Sequence, residues 1–358
     1  MTMWQRPSAV SLLAAHLRGE LERGRWSGQM PGVIRLARDL GAARTTVEKA
    51  LGKLERDGLL VAQGHGRGRM IDPAGVASLA RGMRVGILPY EVSDRGLSYL
   101  IELQHQLEEA GHVVDFARKT LLGLQRNAER VAAFVERSEA DAWIVIGGPR
   151  DVLEWFAARP VPAFALFGRR QGIAIAGGGP DKVPAMRKLV RRLHGLGHRR
   201  IVLFVREERR KPQPGAQERA FLEEMEEHGI STGSYHLPDW KETPDGFLQS
   251  LDRLYATTPP SALIFDESFL FVTAQQHLAQ RGILAPGHVS LVCGDPPGSG
   301  LTWLRPSMAH IRWDHQPVVR RIVQWAAHVS RGKKDIRQID SVARFVEGGT
   351  IGSASGIR

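Results

Sequence analysis

Charged and hydroxyl side chains recur along one side of a short segment that starts at residue 44. The set comprises Arg44, Thr45, Thr46, Glu48, Lys49 and Lys53. Apolar residues alternate with them at positions i, i+3, i+4 and i+7, the spacing of one buried helix face: Val47, Ala50, Leu51 and Leu54. Guanidinium and ammonium groups bind phosphates, and an arginine can also donate two hydrogen bonds to a guanine edge. The segment therefore predicts a helix that is buried on one side and contacts duplex DNA with the other.

The residues before this helix predict two further helices. An apolar stripe at helical spacing indicates the first of them, formed by Val10, Leu13, Leu17 and Leu21. A second helix is expected from Arg35 to Leu40, opened by Pro31 and ended by Gly41. Because only a few residues separate Gly41 from Arg44, the order is that of a helix-turn-helix.

The residues after the helix predict a two-stranded hairpin, or wing. Leu59–Ala62 and Met70–Ile71 are expected as its strands, and the tip between them is rich in glycine and arginine. A small, positively charged tip can approach a DNA groove closely. His65, Gly66 and Arg67 at this tip are therefore expected to contact the flank of the DNA site.

These motifs resemble the winged helix-turn-helix of GntR-type bacterial transcription regulators. The resemblance covers about a fifth of the chain and is carried by Met30-Pro31, Leu36-Ala37, Arg44-Thr45-Thr46-Val47, Ala50-Leu51, Leu54, Gly58-Leu59-Leu60 and Gly66-Arg67-Gly68. The arginine usual in the family's second helix falls on Ile34, with Arg35 beside it as the candidate DNA contact. The position after the Thr-Thr-Val run, which is usually basic in the family, holds Glu48 in this chain. Glu48 could instead accept a hydrogen bond from cytosine.

The charge distribution agrees with a DNA partner. The 358 residues carry a net charge of +11, and residues 1–72 hold 12 Lys and Arg against 7 Asp and Glu. The single cysteine, Cys293, excludes an internal disulfide framework and is typical of a reducing compartment. No apolar run is long enough to span a membrane. We therefore expect a cytoplasmic protein with no membrane contact.

The rest of the chain has the pattern of an α/β protein. Residues 73–82 are small and weakly patterned, which favours a linker between a domain at 1–72 and one at 83–358. Beyond them, short apolar β-rich runs alternate with amphipathic helical segments, as in parallel sheets covered by helices. The runs predicted as strands are Met83–Leu88, His112–Phe116, Ala142–Gly147, Ala163–Phe167, Ile201–Val205, Ala262–Phe265, Val289–Cys293 and His310–Trp313. The runs are too numerous for one compact half, so two α/β lobes are expected.

This region resembles the effector domain of LacI-type regulators, which shares its fold with periplasmic sugar-binding proteins. The resemblance covers residues 83–352 and is carried by Val85–Leu88, Leu196–Ile201, Ala262–Asp266, Gly282-Ile283, His288–Leu291 and Phe345–Ile351. It implies a two-lobed, dimerising domain that binds a small effector, most plausibly a sugar, between its lobes. The predicted fold is a winged helix-turn-helix followed by a two-lobed periplasmic-binding-protein-like α/β domain with parallel sheets.

Candidate ligand-binding residues follow the predicted strands, because open α/β sheets bind ligands beyond the carboxyl ends of their strands. Carboxylates and arginines suit sugar hydroxyls, and aromatic faces suit the C–H surface of a sugar ring. The candidates are Tyr90, Glu91, Phe167, Arg169, Asp266, Glu267, Asp295 and Trp303. The resemblance places the family's ligand-binding arginine at Gln217, with Arg219 as a possible substitute.

Other chemistries find little support in the sequence. His194 and His198 could form half of a metal site, but no third ligand is apparent. Asp266 and Glu267 are adjacent, and on an extended segment such neighbours point in opposite directions, unlike a glycosidase pair. No nucleophile–base constellation is evident, and the 64–68 glycine-rich tip lacks the context of a nucleotide-binding loop. We expect no cofactor, no metal and no enzymatic activity.

The sequence is best interpreted as a DNA-binding transcriptional regulator, a repressor in the first instance. It would bind a double-stranded operator as a homodimer under the control of a small ligand. One alternative is a ligand-independent DNA-binding protein whose second domain only dimerises. The other is a sugar-processing enzyme fused to a DNA-binding head.

Overall fold

A computed structural model describes residues 9–22, 24–64, 68–79, 82–295 and 303–354. His65, Gly66 and Arg67, the predicted wing contacts, lie outside these residues. Among the described residues, no helix is both long and apolar enough to cross a membrane.

The amino-terminal part forms a small helical head with a two-stranded sheet. Its elements are α1 (Ala9–Glu22), α2 (Val33–Asp39), α3 (Arg44–Arg56), β1 (Leu60–Ala62) and β2 (Arg69–Ile71). The strands β1 and β2 pair antiparallel, and Leu60 lies opposite Ile71. The short connection between α2 and α3 contains Gly41 at a φ of +61°, a conformation that costs a glycine little.

The head has its own apolar core. The residues that the sequence assigned to the buried face of α3 are all fully buried, as are Leu17 and Leu21 of α1. Leu36 of α2 and Ile71 of β2 complete this core. Burial of each large apolar side chain contributes about 1.5–3 kcal/mol of stability. This packing fixes α3 against α1 and so determines which side of α3 stays exposed.

The segment predicted as a linker contains a helix, α4 (Pro73–Leu79). Pro73 suits the first turn of a helix, and the Asp72 carboxylate accepts a hydrogen bond from the Ala74 amide at 3.1 Å. Val76 packs against the head core. The small residues of this segment therefore hid a capped helix; the domain boundaries themselves stay a prediction.

The chain divides into two compact units. The first contains Met1–Gly178 and Val319–Ile339, and the second contains Gly179–Val318 and Asp340–Arg358. The chain therefore passes between the units after residues 178, 318 and 339.

The α/β part of the first unit is built on a sheet with the strand order β12-β7-β6-β5-β3-β4. Neighbouring strands from β4 to β7 are parallel. Its strands are β3 (Arg84–Leu88), β4 (Val113–Phe116), β5 (Ala142–Ile146), β6 (Ala163–Leu166), β7 (Ala176–Asp181) and β12 (Gln338–Val342). Its helices are α5 (Ser98–Glu109), α6 (Ala128–Val135), α7 (Arg150–Ala157) and α13 (Gln316–Val329).

The second unit is built on a sheet with the strand order β13-β11-β10-β9-β8. Strands β8 to β11 are parallel to their neighbours, and β13 is antiparallel to β11. Its strands are β8 (Ile201–Phe204), β9 (Ala262–Phe265), β10 (Ser290–Cys293), β11 (Ala309–Arg312) and β13 (Arg344–Val346). Its helices are α8 (Val183–Gly195), α9 (Glu207–Arg210), α10 (Ala216–Glu227), α11 (Pro244–Thr257) and α12 (Ser268–Ala279).

Strand β7 is an element that the sequence patterns did not predict. Its residues, Ala-Gly-Gly-Gly-Pro-Asp, include no β-branched or aromatic residue. Packing selects glycine here, because a Cβ on Gly177 would lie 2.9 Å from the Ala165 carbonyl oxygen of the adjacent strand. Tertiary contact therefore overrides the low β-propensity of the segment.

Candidate functional site

The exposed face of α3 carries the first candidate site. Arg44, Thr45, Glu48 and Lys49 are exposed, whereas Thr46 and Lys53 are half-buried at the edges of the face. The helix begins at Arg44 after Ala43, whose backbone is extended, and the carbonyl of Ala43 accepts from the amides of Thr46 and Val47. The predicted polar row is thus presented to solvent on one rigid helix.

A groove of about 570 Å³ runs along this face. It is lined by Val10, Thr45, Glu48, Lys49, Gly52, Lys53, Arg56 and Arg69. Arg69 lies on β2, where its Nε pairs with the Glu55 carboxylate of α3. The ion pair fixes the base of the wing to the helix, so both elements contribute cations to one concave surface.

Arg56 and Arg69 were not among the residues predicted from the sequence. Arg56 continues the exposed row of α3 by one turn beyond Lys53, a signal that the helical spacing contained. Arg69 is brought to the groove by pairing of the two strands, which no local pattern reveals. Arg35, predicted on α2, does not line the groove; its side chain is 70% exposed and lies 3.6 Å from the Asp39 carboxylate.

Strand ends of the first unit carry four predicted ligand-binding residues. Tyr90 is buried, and Glu91 accepts a hydrogen bond from the Ser93 hydroxyl at 2.6 Å. Phe167 has a φ of +64° and contacts the Tyr99 ring edge-on at a centroid distance of 6.1 Å. Arg169 follows it, and its amide donates to the Gly148 carbonyl at 3.0 Å. A left-handed conformation is costly for a bulky residue and is found most often at functional sites.

Strand ends of the second unit carry a denser polar cluster centred on Asp266. This carboxylate follows β9, is 6% exposed, and accepts from three described donors. They are Lys182 Nζ at 3.3 Å, Arg209 Nη1 at 3.2 Å and Gln217 Nε2 at 3.3 Å. Burial alone would raise the pKa of Asp266, but Lys182 and Arg209 hold it well below its usual range.

Arg209 links Asp266 to a second buried acid. Its guanidinium lies 2.7 Å from the Glu218 carboxylate and donates to Gln217 Oε1 at 3.1 Å. Glu218 is fully buried, and this burial raises the pKa of its carboxyl group against the opposing effect of Arg209. Arg209 thus stabilises two carboxylates that the fold places in its interior.

Lys182 links Asp266 to Asp295, which follows β10. The distance from Lys182 Nζ to the Asp295 carboxylate is 3.6 Å, and the Asp295 side chain is 45% exposed. Burial disfavours the charge of Lys182, yet Asp266 and Asp295 raise its pKa overall. The cluster therefore runs from a buried centre at Asp266 to an accessible rim at Asp295.

Glu267 belongs to a separate ion pair, as expected for neighbours on an extended segment. It accepts from Arg206 Nε at 2.8 Å and from Arg206 Nη2 at 3.0 Å. The same guanidinium lies 5.3 Å from the ring centroid of Phe269. Asp266 and Glu267 thus engage different partners.

The structure does not bring every predicted residue to this cluster. Arg219 is exposed and donates to the Pro214 carbonyl at 2.7 Å, so Arg209 is the arginine beside Gln217 instead. Trp303 is 87% exposed.

His194 and His198, which could have formed half of a metal site, have different surroundings. His194 stacks on His228, and His198 contacts Ser261 and the Gly352 carbonyl. The described residues contain no group of three or more His, Cys, Asp or Glu side chains that could hold a metal ion.

Sequence reasoning missed Lys182, Arg209 and Glu218. Lys182 follows β7, which was itself not predicted, so its position at a strand end was hidden. Arg209 lies in the run Glu-Glu-Arg-Arg of α9, a composition typical of a solvated surface. Glu218 follows the candidate Gln217 directly, but helical spacing alone does not show that its side chain is buried.

Comparison with known proteins supports the fold. A family model described as a periplasmic binding protein-like domain matches residues 190–351. The Escherichia coli transcriptional repressor ascG aligns with a TM-score of 0.57 at 16% identity, over 76% of this chain and 100% of that chain. No significant match was found among curated protein sequences.

Two further solved structures contain a bound sugar. A LacI family transcriptional regulator from Enterococcus faecium with bound ribose aligns with a TM-score of 0.59 at 15% identity, over 75% of this chain and 98% of that chain. The transcriptional regulator CelR in complex with cellobiose aligns with a TM-score of 0.60 at 16% identity, over 90% of this chain and 100% of that chain. At these identities the likeness establishes a shared α/β fold.

The charge state of Asp266 predicts how stability depends on pH. Because its pKa is lowered in the folded state, its contribution is complete above the unfolded value of about 3.9 and is lost as the pH falls below it. We expect Asp266→Asn to lower the free energy of unfolding by about 3 kcal/mol at pH 7, the lower end for a broken buried pair, since Lys182 and Arg209 keep other partners.

Urea unfolding of the wild type and of Asp266→Asn checks this between pH 3 and pH 7. The difference in unfolding free energy should stay constant from pH 7 to about pH 5 and shrink below about pH 4. Exposed Asp115→Asn serves as the control and should change little at any pH. A difference for Asp266→Asn that is absent at pH 7, or that does not shrink in acid, would contradict the assignment.

Proposed function

We propose that this protein is a ligand-controlled transcriptional regulator that binds operator DNA through its head. The observation that carries the proposal is the exposed cationic face of α3, set in a groove whose rim includes Arg69 of β2. Three helices followed by an antiparallel strand pair support a winged helix-turn-helix of GntR type. In such a module α3 enters the major groove and the wing contacts the flank.

The contacts on α3 divide by reach. Arg44 is exposed at the amino-terminal end of the helix, from which recognition helices commonly contact base edges. Thr45, Thr46 and Lys49 are adjacent and can contact bases or phosphates, whereas half-buried Lys53 is placed for a phosphate. Arg35 on α2 and the tip residues His65, Gly66 and Arg67 are proposed to contact the backbone beside the site.

The effector is proposed to be a sugar that binds at the strand ends. The named neighbours bound to ribose and cellobiose support this choice. In the second unit the accessible groups at these ends are Asp295 and Glu267, and exposed Trp303 offers an aromatic face. In the first unit the candidates are Glu91, Phe167 and Arg169, which are half-buried, and Tyr90, which is buried. Carboxylate, arginine and aromatic groups are the partners that a polyhydroxylated ring requires.

Ligand binding is proposed to change DNA binding by shifting a conformational population, which requires different affinities for two states. The head contacts the α/β part of its own unit. A Cβ on Gly58 would lie 2.5 Å from Arg331, which follows α13, and Arg18 of α1 adds to the effect of burial in lowering the pKa of His112. Because α13 begins in one unit and ends in the other, it is a route for the signal.

A homodimer is proposed as the DNA-binding form. One short recognition helix reads too few base pairs for specificity in a genome, and a two-fold dimer doubles the site. Phe269 and Val272 of α12 are about half exposed, as are Ile101 of α5 and Val113 of β4. Large apolar groups of this kind favour contact with a second copy of the chain.

One observation favours a second candidate function, a DNA-binding dimer that takes no ligand. Asp266 already accepts from three donors, and Glu218 is paired with Arg209. The Asp266 carboxylate at the centre of the cluster is therefore satisfied without a ligand. A ligand screen separates this candidate from the regulator.

Arg44→Ala should weaken operator binding by about 1–3 kcal/mol, the range for one bidentate base contact. Lys53→Ala should weaken specific and non-specific DNA alike and reduce the slope of affinity against salt by about 1. Fluorescence anisotropy at several salt concentrations measures both effects. Arg137→Ala, an exposed arginine outside the head, is the control; unchanged affinity in a folded Arg44→Ala variant would contradict the placement of α3.

A thermal-shift screen of sugars and related metabolites should find a ligand that stabilises the full-length protein, by about 2.7 kcal/mol at a concentration of 100 Kd. Asp295→Ala and Trp303→Ala should both lose the shift. Without ligand, Trp303→Ala should melt nearly as the wild type, whereas Asp295→Ala should melt at a lower temperature because it removes a partner of buried Lys182. Asp115→Ala, an exposed carboxylate elsewhere, should keep it. A broad screen without a hit would favour the ligand-independent dimer.

Val272→Glu should convert the dimer to a monomer, because a charge would be buried at the contact without a partner. Sedimentation velocity at micromolar protein measures the state. Ser231→Glu, at an exposed polar residue that follows α10, introduces the same charge at a polar position and should leave the dimer intact. A wild-type protein that sediments as a monomer would refute the dimer.

A further inference from the structure

We propose that Glu48 selects the base sequence of the operator by requiring a cytosine in the DNA strand that faces α3. The inference rests on the proposed DNA binding and adds to it the identity of one base. It assigns a specific role to an acid that stands on an otherwise cationic surface.

Among the acids of the head whose side chains the structure describes, Glu48 is set apart because it pairs with no described residue. Elsewhere in the head Glu20 pairs with Arg25, Asp39 with Arg35, Glu55 with Arg69 and Asp57 with Arg18. Glu48 is exposed and makes no hydrogen bond or ion pair with any residue that the structure describes. Its carboxylate therefore keeps its acceptor capacity for a group outside the chain.

The surroundings of Glu48 make its charge consequential. Among the described residues that line the groove, Glu48 is the single acid, whereas Lys49, Lys53, Arg56 and Arg69 are cations. These cations suit the phosphates on either side of a major groove. A carboxylate among them weakens that attraction for every DNA sequence. Glu48 therefore contributes favourably to DNA binding only where a base donates a hydrogen bond to it.

The donor pattern of the major groove decides which base that is. Guanine presents N7 and O6 and thymine presents O4, all acceptors that repel a carboxylate. Adenine presents the N6 amino group beside the acceptor N7, so one carboxylate oxygen would face a lone pair. Cytosine presents its N4 amino group with no acceptor on its own major-groove edge. Cytosine is therefore the base from which the Glu48 carboxylate can accept a hydrogen bond with the least repulsion.

The helix gives this carboxylate access to a base. Thr45 and Gly52 lie three residues before and four residues after Glu48, on the same face of α3. Gly52 leaves that face open, since a Cβ there would meet only the Arg56 guanidinium, at 4.0 Å. The helix backbone can therefore come close to the groove floor, which suits the moderate length of a glutamate side chain.

Selection from randomised duplex DNA by the full-length protein tests the inference. The wild type should enrich one cytosine per half-site by about tenfold over the other bases, the scale of a single base-pair preference. Glu48→Gln should move the preference at that position to adenine, because an amide pairs with adenine N6 and N7. Glu48→Arg should move it to guanine. The other enriched positions should not change.

Glu55→Gln is the matched control, since it removes the same charge from the same helix at a residue already paired with Arg69. It can alter affinity but should keep the cytosine preference. A direct probe replaces the selected cytosine by N4-methylcytosine, which keeps the hydrogen that pairs with guanine O6 and carries a methyl group in place of the hydrogen that faces the major groove. This replacement should weaken wild-type binding about tenfold and leave Glu48→Ala unaffected.

The outcomes separate the inference from the proposed function. Sequence-specific binding in which the wild type and Glu48→Gln select the same base at every position overturns the role of Glu48 and leaves the regulator intact. Selection of guanine or thymine opposite Glu48 by the wild type also overturns it. If neither the wild type nor any variant enriches a sequence, the proposed DNA binding fails, and the assignment of Glu48 fails with it.

Discussion

The second unit depends on how the Asp266 carboxylate is neutralised. A buried acid is tolerated only when donors surround it, and here the donors come from the start of α8, from α9 and from α10. The two ion pairs and the Gln217 hydrogen bond therefore fix three helices to the end of β9. Since Lys182 also contacts Asp295 beyond β10, the same charges organise the strand ends where a ligand is proposed to bind.

The head is organised differently: the burial of apolar side chains determines where its charged side chains lie. Val47, Ala50, Leu51 and Leu54 fix one side of α3 in the head core, and the polar side is then exposed by geometry alone. Arg69 joins that surface because β2 pairs with β1 and Glu55 holds its guanidinium. The two candidate sites thus differ in kind: in the α3 groove Lys49, Lys53 and Arg56 pair with no acid that the structure describes, whereas the strand-end cluster neutralises the charges at its centre.

The periodicity of apolar residues in the sequence predicted the features that depend on local structure, namely the buried helix face and most of the strands. The buried face of α3 was confirmed residue by residue, and the apolar runs were confirmed as strands β3, β4, β5, β6, β8, β9, β10 and β11. Strand β7 was missed because close packing, and not propensity, selects its glycines. Arg209 was missed because its partners Asp266 and Glu218 are distant in sequence or buried only in the fold. The roles of the predicted DNA and ligand contacts stay predictions, since they depend on molecules outside the chain.

The central claim is that a small molecule controls sequence-specific DNA binding by this chain. The most direct measurement isolates genomic fragments bound by the purified full-length protein and then compares their affinity with and without the small-molecule fraction of a cell extract. The account predicts that the fragments share an inverted repeat and that the extract changes affinity for them but not for unrelated DNA. Fragments without a shared motif, or an affinity indifferent to every extract, would contradict it.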